Sequence, residues 1–466
     1  MDTKTKMQKS TRTRAITYED LERQVRLALK KHTLDKLRDQ LIKEHPANIA
    51  AVLDRLNHRQ RHQVFELLLP EQAAKVLDEL STQATRQLLD SMPVEKIGLL
   101  LNLMPMDEAA EILLEDVPGR KEELLAVMAP QEAAEVRRLM QYPPKSAGHM
   151  MTERFARMRP TMTVEETLRQ LRETDREVET ITDLYVLNPE EQLIGVVSLR
   201  DVVRTDPGRR LEDIMSSHLV TVTPDTNQED VARLVSHYDF LALPVVTSER
   251  KMLGIIPVDD VIDVLVSEAT EDILRFGGME GGGAIDQPYF TVPLSVVVRK
   301  RIGWLLLLFL AETLTGSVLR LFESELARVV ALSFFIPLLI GTGGNTGAQT
   351  VSTLIRGLAL GDVQWRDIWQ VIRREVLSGL MIGLLLGLVA FGRTLLWGNG
   401  INIALVVALT ILAICTWANT IGALIPLIAY RVKIDPAVVS APLITTLVDA
   451  TGLAIYLLIA KAILRL

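Results

Sequence analysis

Five long apolar stretches in the C-terminal part of the chain constrain its fold more than any other feature. They run over residues 302–322, 327–355, 376–396, 401–430 and 436–464 of a chain of 466 residues. A helix that crosses a membrane needs about 20 mostly apolar residues, and each stretch meets that length. The sequence therefore predicts an α-helical transmembrane bundle of five spans over residues 299–466.

Basic residues predict how these spans are oriented. They cluster before the first stretch, between the second and third, and between the fourth and fifth, which is one side of the membrane if the spans alternate. The positive-inside rule assigns that side to the cytoplasm. Lys461 and Arg465 lie at the other end and weigh weakly against this orientation, because terminal basic side chains can reach the interface. We expect a multi-pass protein of the plasma (inner) membrane with its N-terminal domains in the cytoplasm.

Charge separates the membrane half from the rest of the chain. From Gln287 onward there are 14 Lys and Arg against 8 Asp and Glu, whereas residues 1–286 have 37 against 50, a net charge of −13. An acidic part of that length can form two compact domains, and no nucleic-acid partner is predicted. The single cysteine, Cys415, lies in an apolar stretch, so we expect no disulfide framework and no cysteine-based metal site.

One carboxylate lies deep within the predicted membrane region. Asp449 is in the middle of the fifth stretch, in PLITTLVDATG, where an ionised side chain costs about 3 kcal/mol. The second stretch contains GTGGNTGAQT, which is glycine-rich and polar, and it predicts a broken helix. Together the two segments predict a cation path. The alternative is a buried Asp that only hydrogen-bonds a neighbouring helix.

Proline-led repeats organise residues 45–142, after an N-terminal extension over residues 1–44. PEQAAKVLDEL, PMDEAAEILLE and PQEAAEVRRLM each place a proline ahead of alanines and leucines at helical spacing. Proline suits the first turn of a helix, where the N–H that it lacks has no partner to lose. The spacing predicts an all-α superhelix of short stacked helices, and an ordinary helical bundle is the alternative.

A second repeat, with a period of about 60 residues, covers residues 147–258. IGVVSLRDVV in the first copy matches LGIIPVDDVI in the second, and each copy predicts strand, helix, strand, strand and helix. The pair resembles tandem CBS domains, which implies an α/β pair that binds adenine nucleotides. The resemblance assigns Arg200 and Asp201 to such a site, with ATP as the candidate ligand and Asp201 at the ribose. A plain helix N-cap is the alternative role for Asp201.

An acidic helix is predicted over residues 259–276, ahead of a glycine-rich linker over residues 277–298. Asp260, Asp263 and Glu271 fall on one helical stripe. Like charges at these spacings destabilise a lone helix by roughly a few tenths of a kcal/mol per pair, and a divalent cation between the carboxylates would reverse that sign. A solvated helix face is the alternative.

The order of these parts resembles the MgtE family of magnesium channels. The resemblance implies a homodimer with its pore on the two-fold axis, in which Asp449 binds hydrated Mg²⁺, a carbonyl of Thr445 contributes, and Asn345 lines the pore. It also implies that the acidic helix is a plug, which closes the pore when cytosolic Mg²⁺ binds between acidic domains. The implied regulatory metal residues are Asp107, Glu111, Glu115, Asp239, Asp260, Asp263, Glu268, Glu271 and Asp272.

The residue types agree with this resemblance. Mg²⁺ prefers oxygen ligands and loses water reluctantly, and all 7 histidines lie at or before His237, outside the apolar stretches. A zinc or copper path is therefore disfavoured, and without an HExxH motif we expect a transporter and not a metalloprotease or another enzyme. The alternatives are a CBS-regulated exporter of divalent cations and an anion channel, which would need basic residues at its pore.

Overall fold

The computed structural model describes residues 18–173, 178, 180–279, 292–359 and 361–466. These residues form two compact units, of which the first reaches Ser267 and the second begins at Glu268. The start of the predicted N-terminal extension and most of the predicted glycine-rich linker lie outside the described residues. Within them, the predicted combination of an all-α domain, a CBS pair with sheets and a bundle of five apolar helices is confirmed.

Short helices build the N-terminal domain of the first unit. Their buried leucines, valines and alanines form one core, which already includes Leu21 and Leu41 upstream of the first repeat. Pro46, Pro70 and Pro130 occupy the first turn of their helices, as the repeats predict. The helices are α1 (Tyr18–Lys31), α2 (Leu34–Leu41), α3 (Pro46–Asp54), α4 (His58–Phe65), α5 (Pro70–Asp78), α6 (Thr82–Asp90), α7 (Val94–Leu101), α8 (Met106–Glu111), α9 (Lys121–Val127) and α10 (Pro130–Leu139).

A π-helical turn over Ile112–Asp116 continues α8 directly. Such turns are rare and change the angular spacing of the side chains that follow. Arg86 donates hydrogen bonds to the carbonyl oxygens of Glu115 (2.8 Å) and Asp116 (3.0 Å) where the turn ends. The regular stripe expected through Asp107, Glu111 and Glu115 therefore does not extend unchanged to Glu115.

The CBS pair follows α11 (Ala147–Met150). β2 lies between β1, to which it is parallel, and β3, to which it is antiparallel, while β4 and β5 form an antiparallel pair. The expected first strand of the second copy is reduced to one bridge between Val222 and Val245, because Pro224 and a turn at Thr226 end the extended segment. The elements are β1 (Phe155–Met158), α12 (Val164–Glu173), β2 (Thr180–Leu187), β3 (Leu193–Ser198), α13 (Leu199–Arg204), α14 (Gln228–Tyr238), β4 (Ala242–Val246) and β5 (Met252–Pro257).

The acidic connecting helix is α15 (Val258–Phe276), and it continues from the first unit into the second. The backbone N–H of Val258 donates to the carbonyl of Leu241 (3.0 Å). The helix therefore starts beside the C-terminal end of α14, where Asp239 adopts a left-handed conformation with φ 56°.

Among the described residues of the second unit, five helices are long and apolar enough to cross a membrane. α18 is continuous through GTGGNTGAQT, so the predicted break in the second span is wrong. The glycines are buried contact points instead: a Cβ added at Gly344 would come within 2.7 Å of Thr445. Small residues let helices in a membrane approach closely. The helices are α16 (Leu294–Leu321), the short α17 (Glu323–Arg328), α18 (Ile336–Ala359), α19 (Ile368–Leu396), α20 (Gly400–Arg431) and α21 (Ala441–Leu464).

Three glycines spaced four residues apart hold α19 against α20. A Cβ at Gly379 or Gly383 would come within 2.7 Å of a Cα atom of α20, and one at Gly387 within 2.9 Å of the Ala408 carbonyl oxygen. These backbone contacts fix which face of α19 is buried. The opposite face keeps large exposed apolar side chains, including Met381.

Lys461, which weighs against the predicted orientation of the spans, is neutralised within the fold. Its Nζ lies 2.7 Å from Oε1 of Glu325 on α17. Hydrogen bonds from Lys461 and Ser324 lower the pKa of Glu325 to about 2, so Glu325 remains ionised at neutral pH. This ion pair ties the C-terminal end of α21 to α17.

Candidate cation path and acidic junction

Asp449 lies near the middle of α21, and only 8% of its surface is exposed. Its Oδ1 atom is buried and has no hydrogen-bond partner in the described chain. The expected alternative, an Asp held by a neighbouring helix, therefore has no support at this oxygen. Because burial of an unpaired carboxylate oxygen costs roughly several kcal/mol, this atom favours a ligand from outside the chain.

Thr445 and Asn345 flank the contact between α18 and α21. Gly344, next to Asn345, touches the Thr445 side chain, and Thr445 lies one turn before Asp449. The Thr445 hydroxyl donates to the Ala441 carbonyl (3.0 Å), so its proton is used within the helix and its remaining groups are acceptors. Asn345 is exposed in the single chain. The fold thus brings the three predicted path residues to adjacent turns of two packed helices.

Two further carboxylates belong to the membrane helices. The charge of Glu312 on α16 acts on Asp449. Glu375 on α19 binds Asn419 of α20 (Nδ2 to Oε2, 3.2 Å), and Asn419 accepts from Thr350 of α18 (3.0 Å). The sequence does not point to Glu375, because this residue lies just before the third apolar stretch, which begins at residue 376. In the structure α19 begins eight residues before that stretch and includes Glu375. Its contacts join three helices, which indicates a structural role.

Carboxylates also gather in the first unit, in a cluster that we call the acidic junction: Asp78, Glu79, Glu108, Asp259 and Asp263. Asp78 of α5 hydrogen-bonds Glu108 of α8, and the charges of Asp259 and Asp263 on α15 act on Asp78. Burial and these like charges raise the pKa of Asp78 and raise that of Glu108 well above its ordinary value. The fold therefore brings the start of α15 to the acidic edge of the helical domain.

Burial, followed by neighbouring charge, raises the pKa of two further members of the junction. Glu79 is raised by burial, Asp78 and Asp263, and Asp263 is raised by burial and Asp259. Both side chains keep exposed surface. They are thus accessible to water and cations while they repel one another.

The predicted stripe on α8 meets different neighbours. Asp107 is buried, whereas Glu111 and Glu115 are exposed. The charges of Asp107 and Glu111 act on Glu108, so these two predicted residues border the acidic junction. Glu115 instead lies beside His149, whose pKa is lowered by burial despite that charge.

Asp116 is a buried carboxylate that the sequence reading misses. Burial and the charges of Glu111 and Glu115 outweigh Arg86 and raise the pKa of Asp116 to about 7. Its Oδ1 has no hydrogen-bond partner within the described residues. Asp116 is buried while its neighbour Glu115 is exposed, and no feature of the sequence signals the π-turn that contains both.

The C-terminal end of α15 forms a second acidic group, within the second unit. Arg275 binds both Glu271 and Asp435, the latter in the loop before α21. Burial and the charges of Asp435 and Glu268 raise the pKa of Asp272. Of the predicted plug residues, Glu271 and Asp272 therefore lie close to Asp435, which the sequence does not indicate, and the charge of Glu268 acts on Asp272.

The other predicted plug residues lie elsewhere. Asp263 belongs to the acidic junction, and Asp260 is half-buried three residues before it. Asp239 is exposed at the end of α14, close in the chain to Leu241, which binds the start of α15. Within the described ranges, no three His, Cys, Asp or Glu side chains are arranged to hold a metal ion. A complete cation site would therefore draw on water, carbonyl oxygens or a second copy of the chain.

A cavity of about 270 Å³ lies between the two CBS copies. Asp183, Asp201 and His218 line it together with Phe240, whereas Arg200 does not. The N-cap of α13 is Ser198 and not Asp201; the Ser198 hydroxyl donates to Asp201 Oδ2 (2.7 Å) and accepts from its N–H (3.1 Å). The carboxylate of Asp201 thus both supports the helix start and borders a cavity with polar and apolar walls.

Known families match most of the chain. MgtE, described as a divalent cation transporter, matches residues 336–459, and the MgtE intracellular N domain matches residues 44–145. The CBS domain matches residues 147–208 and 211–267. The matches follow the same order as the parts of the fold.

Individual proteins are similar over comparable lengths. The magnesium transporter MgtE of Thermus thermophilus is 42% identical over 94% of this chain and 97% of its own length. The crystal structure of the soluble part of a magnesium transporter is 29% identical, with a TM-score of 0.50, and covers 54% of this chain and 99% of that chain. The cytosolic domain of the Mg²⁺ channel MgtE in complex with ATP is 36% identical over the same shares, but its TM-score of 0.49 supports no conclusion about nucleotides here.

Proposed function

The chain belongs to the MgtE family of divalent cation transporters, and we propose that it is a homodimeric, Mg²⁺-selective channel that admits Mg²⁺ through the plasma membrane. The observation that carries this proposal is the buried Oδ1 of Asp449, which has no hydrogen-bond partner among the described residues. A transporter family is not an enzyme class, and the proposed activity is passage of an ion without bond chemistry.

The Asp449 region suits hydrated Mg²⁺ once two chains are combined. A divalent ion of this kind keeps several waters and takes one or two carboxylates. Each chain would supply one Asp449, with the Thr445 carbonyl one turn away and Asn345 on the facing helix. Two empty carboxylates near one axis would repel each other, and a divalent ion would keep both ionised. This symmetry argument supports a homodimer.

Control by cytosolic Mg²⁺ is supported by the acidic junction. Burial, followed by the like charges of neighbouring carboxylates, raises the pKa of Asp78, Glu79, Glu108 and Asp263, which means that the folded arrangement disfavours their negative charges. A divalent cation between them relieves that repulsion, so it binds this arrangement more tightly than a separated one. An ion shifts a conformational equilibrium only by such a difference in affinity. We therefore assign the plug function to α15 and the closed state to high cytosolic Mg²⁺.

Nucleotide binding is the second proposed regulatory input. The cavity between the CBS copies offers carboxylates for ribose hydroxyls and Phe240 for an adenine ring. Asp201 is the proposed ribose ligand. Arg200 does not line the cavity. Its predicted contact with a nucleotide would therefore require the segment around Arg200 to move.

The alternatives fit less well. An anion channel needs basic groups at its pore, whereas the membrane helices present Asp449, with Glu312 acting on it. A CBS-regulated exporter would share these residues and differ in the direction of net flux. The experiment must therefore measure the direction of net Mg²⁺ flux.

The test uses the full chain in liposomes with a Mg²⁺-sensitive dye inside. Entry should follow the Mg²⁺ gradient without a co-transported ion, and it should stop when the side facing the soluble unit holds millimolar Mg²⁺, roughly the affinity range of weak oxygen sites. Flux of Cl⁻ in the same vesicles, or flux only against an opposing Na⁺ gradient, would reject the channel assignment.

A further inference from the structure

The described part of α19 carries an open groove of about 850 Å³ that plays no part in the proposed cation path. Its lining changes character along the helix. Gln370, Arg373 and Arg374 form one end, and Leu377, Met381 and Leu385 form the other. We propose that this groove binds an anionic phospholipid of the membrane leaflet that faces the soluble unit.

The charged end of the groove has unused binding capacity. Arg373 and Arg374 are exposed and form no ion pair with a described residue. Two other arginines of this unit are engaged: Arg275 binds carboxylates, and Arg393 lies over the Trp397 ring at 4.7 Å. Two neighbouring guanidinium groups with free N–H donors match the geometry and charge of a phosphodiester.

The position of these arginines fits a headgroup. Trp369, one turn before Arg373, is 79% exposed, and exposed tryptophans of membrane proteins lie at the lipid–water interface. Each Lys or Arg at that depth on the cytoplasmic side attracts anionic lipids by about 1 kcal/mol. The arginines therefore lie where phosphates of the leaflet are.

The apolar end of the groove fits an acyl chain. Met381 and Leu385 are 68% and 64% exposed, and they lie two to three turns deeper than Arg373. The glycines of α19 fix this face away from α20, so no described helix of the chain covers it. A soluble phosphate would leave this half of the groove empty, which is why we assign the site to a lipid.

The test measures lipid retention by the purified full chain in detergent, using native mass spectrometry. The probes are dioleoylphosphatidylglycerol and, as the neutral comparison, dioleoylphosphatidylcholine. Wild type should bind the anionic lipid more tightly, and Arg373→Gln with Arg374→Gln should weaken that binding by roughly 30-fold without affecting the neutral lipid. Arg373→Lys with Arg374→Lys keeps the charge and should stay within about fivefold of wild type.

The matched control is Arg356→Gln with Arg366→Gln, which removes the same charge from exposed positions outside the groove. This pair should leave binding nearly unchanged. Equal binding of the two lipids by wild type, or equal losses in the two glutamine pairs, would overturn the proposal. A change from dimer to monomer in the Arg373 and Arg374 variant, with lipid binding unaltered, would assign the groove to a second copy of the chain and reject the lipid site.

Discussion

In the soluble unit, carboxylates crowd together at the acidic junction, whereas in the membrane unit Asp449 is buried in an apolar helix, with Glu312 as the charge acting on it. The crowded groups keep some exposed surface and can exchange protons and cations with water. Asp449 has one oxygen that meets neither solvent nor a hydrogen-bond donor of the described chain.

This difference in surroundings suits the carboxylates of the two regions to different functions. Many weak carboxylates acting together give a graded response to cation concentration, because each ion relieves repulsion among several groups. A buried carboxylate such as Asp449, with Glu312 as the neighbouring charge, gives selectivity for a cation at one point of the membrane unit. We therefore propose that the acidic junction senses cations and that Asp449 belongs to the conducting path, and each prediction challenges that separation.

The largest effect is expected at Asp449. Asp449→Asn keeps the shape but removes the charge and one acceptor oxygen, so Mg²⁺ flux into liposomes should fall to that of protein-free vesicles. Thermal unfolding and the molecular mass of the assembly should match wild type. Asp362→Asn, an exposed loop position, is the control and should conduct normally. Wild-type flux in Asp449→Asn would remove the conducting role.

The next effect concerns closure. Asp260→Asn, Asp263→Asn and Glu271→Gln together remove three charges from α15. The triple variant should still conduct, but the cytosolic Mg²⁺ concentration for half-closure should rise about tenfold or more, the scale of an ordinary coupling between sites. Single-channel open probability against Mg²⁺ measures this. If α15 were only a solvated face, the variant and wild-type curves would superimpose.

A third effect concerns pH and stability without Mg²⁺. The pKa of Asp116 is about 7 in the fold, against about 3.9 in an unfolded chain. Between these values the fold keeps a proton that the unfolded chain releases, so the contribution of Asp116 to stability is full at low pH and is lost as pH rises to about 7.

Asp116→Asn removes this dependence. It should raise the free energy of unfolding by about 1–2 kcal/mol at pH 5 and by about 3–4 kcal/mol at pH 8, because each pH unit between the two pKa values is worth about 1.4 kcal/mol. Urea unfolding at the two pH values measures the effect, with exposed Glu95→Gln as the control. Equal changes for Asp116→Asn at pH 5 and pH 8 would show that burial does not shift this group.

The smallest effect is expected at Arg275. This side chain joins Glu271 to Asp435 without needing Mg²⁺, so Arg275→Gln should leave conduction intact and raise the half-closing Mg²⁺ concentration about two- to fivefold, the scale of a partly exposed ion pair. Arg233→Gln removes an exposed pair with Asp230 and serves as the control. Lower half-closing concentrations in Arg275→Gln would mean that Arg275 competes with Mg²⁺ instead of assisting closure.

Features that repeat along the chain are predictable from the sequence, whereas sites formed by residues far apart in the sequence are not. The apolar stretches, the proline-led helices and the paired CBS units each repeat a local pattern, and all appear in the fold. Asp78 and Glu108 meet only because α5 and α8 pack in the superhelix, and Asp263 joins them from more than 150 residues away. No local sequence pattern indicates that these carboxylates lie close together in the fold.

Two local expectations fail for physical reasons. The glycines and threonines of α18 predict a break in the helix. Close packing against neighbouring helices compensates for the low helix propensity of glycine. The hydroxyls of Thr342, Thr346 and Thr350 donate to carbonyl oxygens four residues earlier. The π-turn after α8 separates Glu115 from Asp116. No residue type marks such a turn in advance.

The most direct test of the separation between sensing and conducting is Mg²⁺ flux through a variant that combines Asp449→Asn with the three neutral substitutions on α15. This variant should be as inactive as Asp449→Asn alone at every cytosolic Mg²⁺ concentration, although the triple variant alone stays open. Mg²⁺ flux in the combined variant would contradict the separation, because ions would then cross the membrane by a path that does not need Asp449.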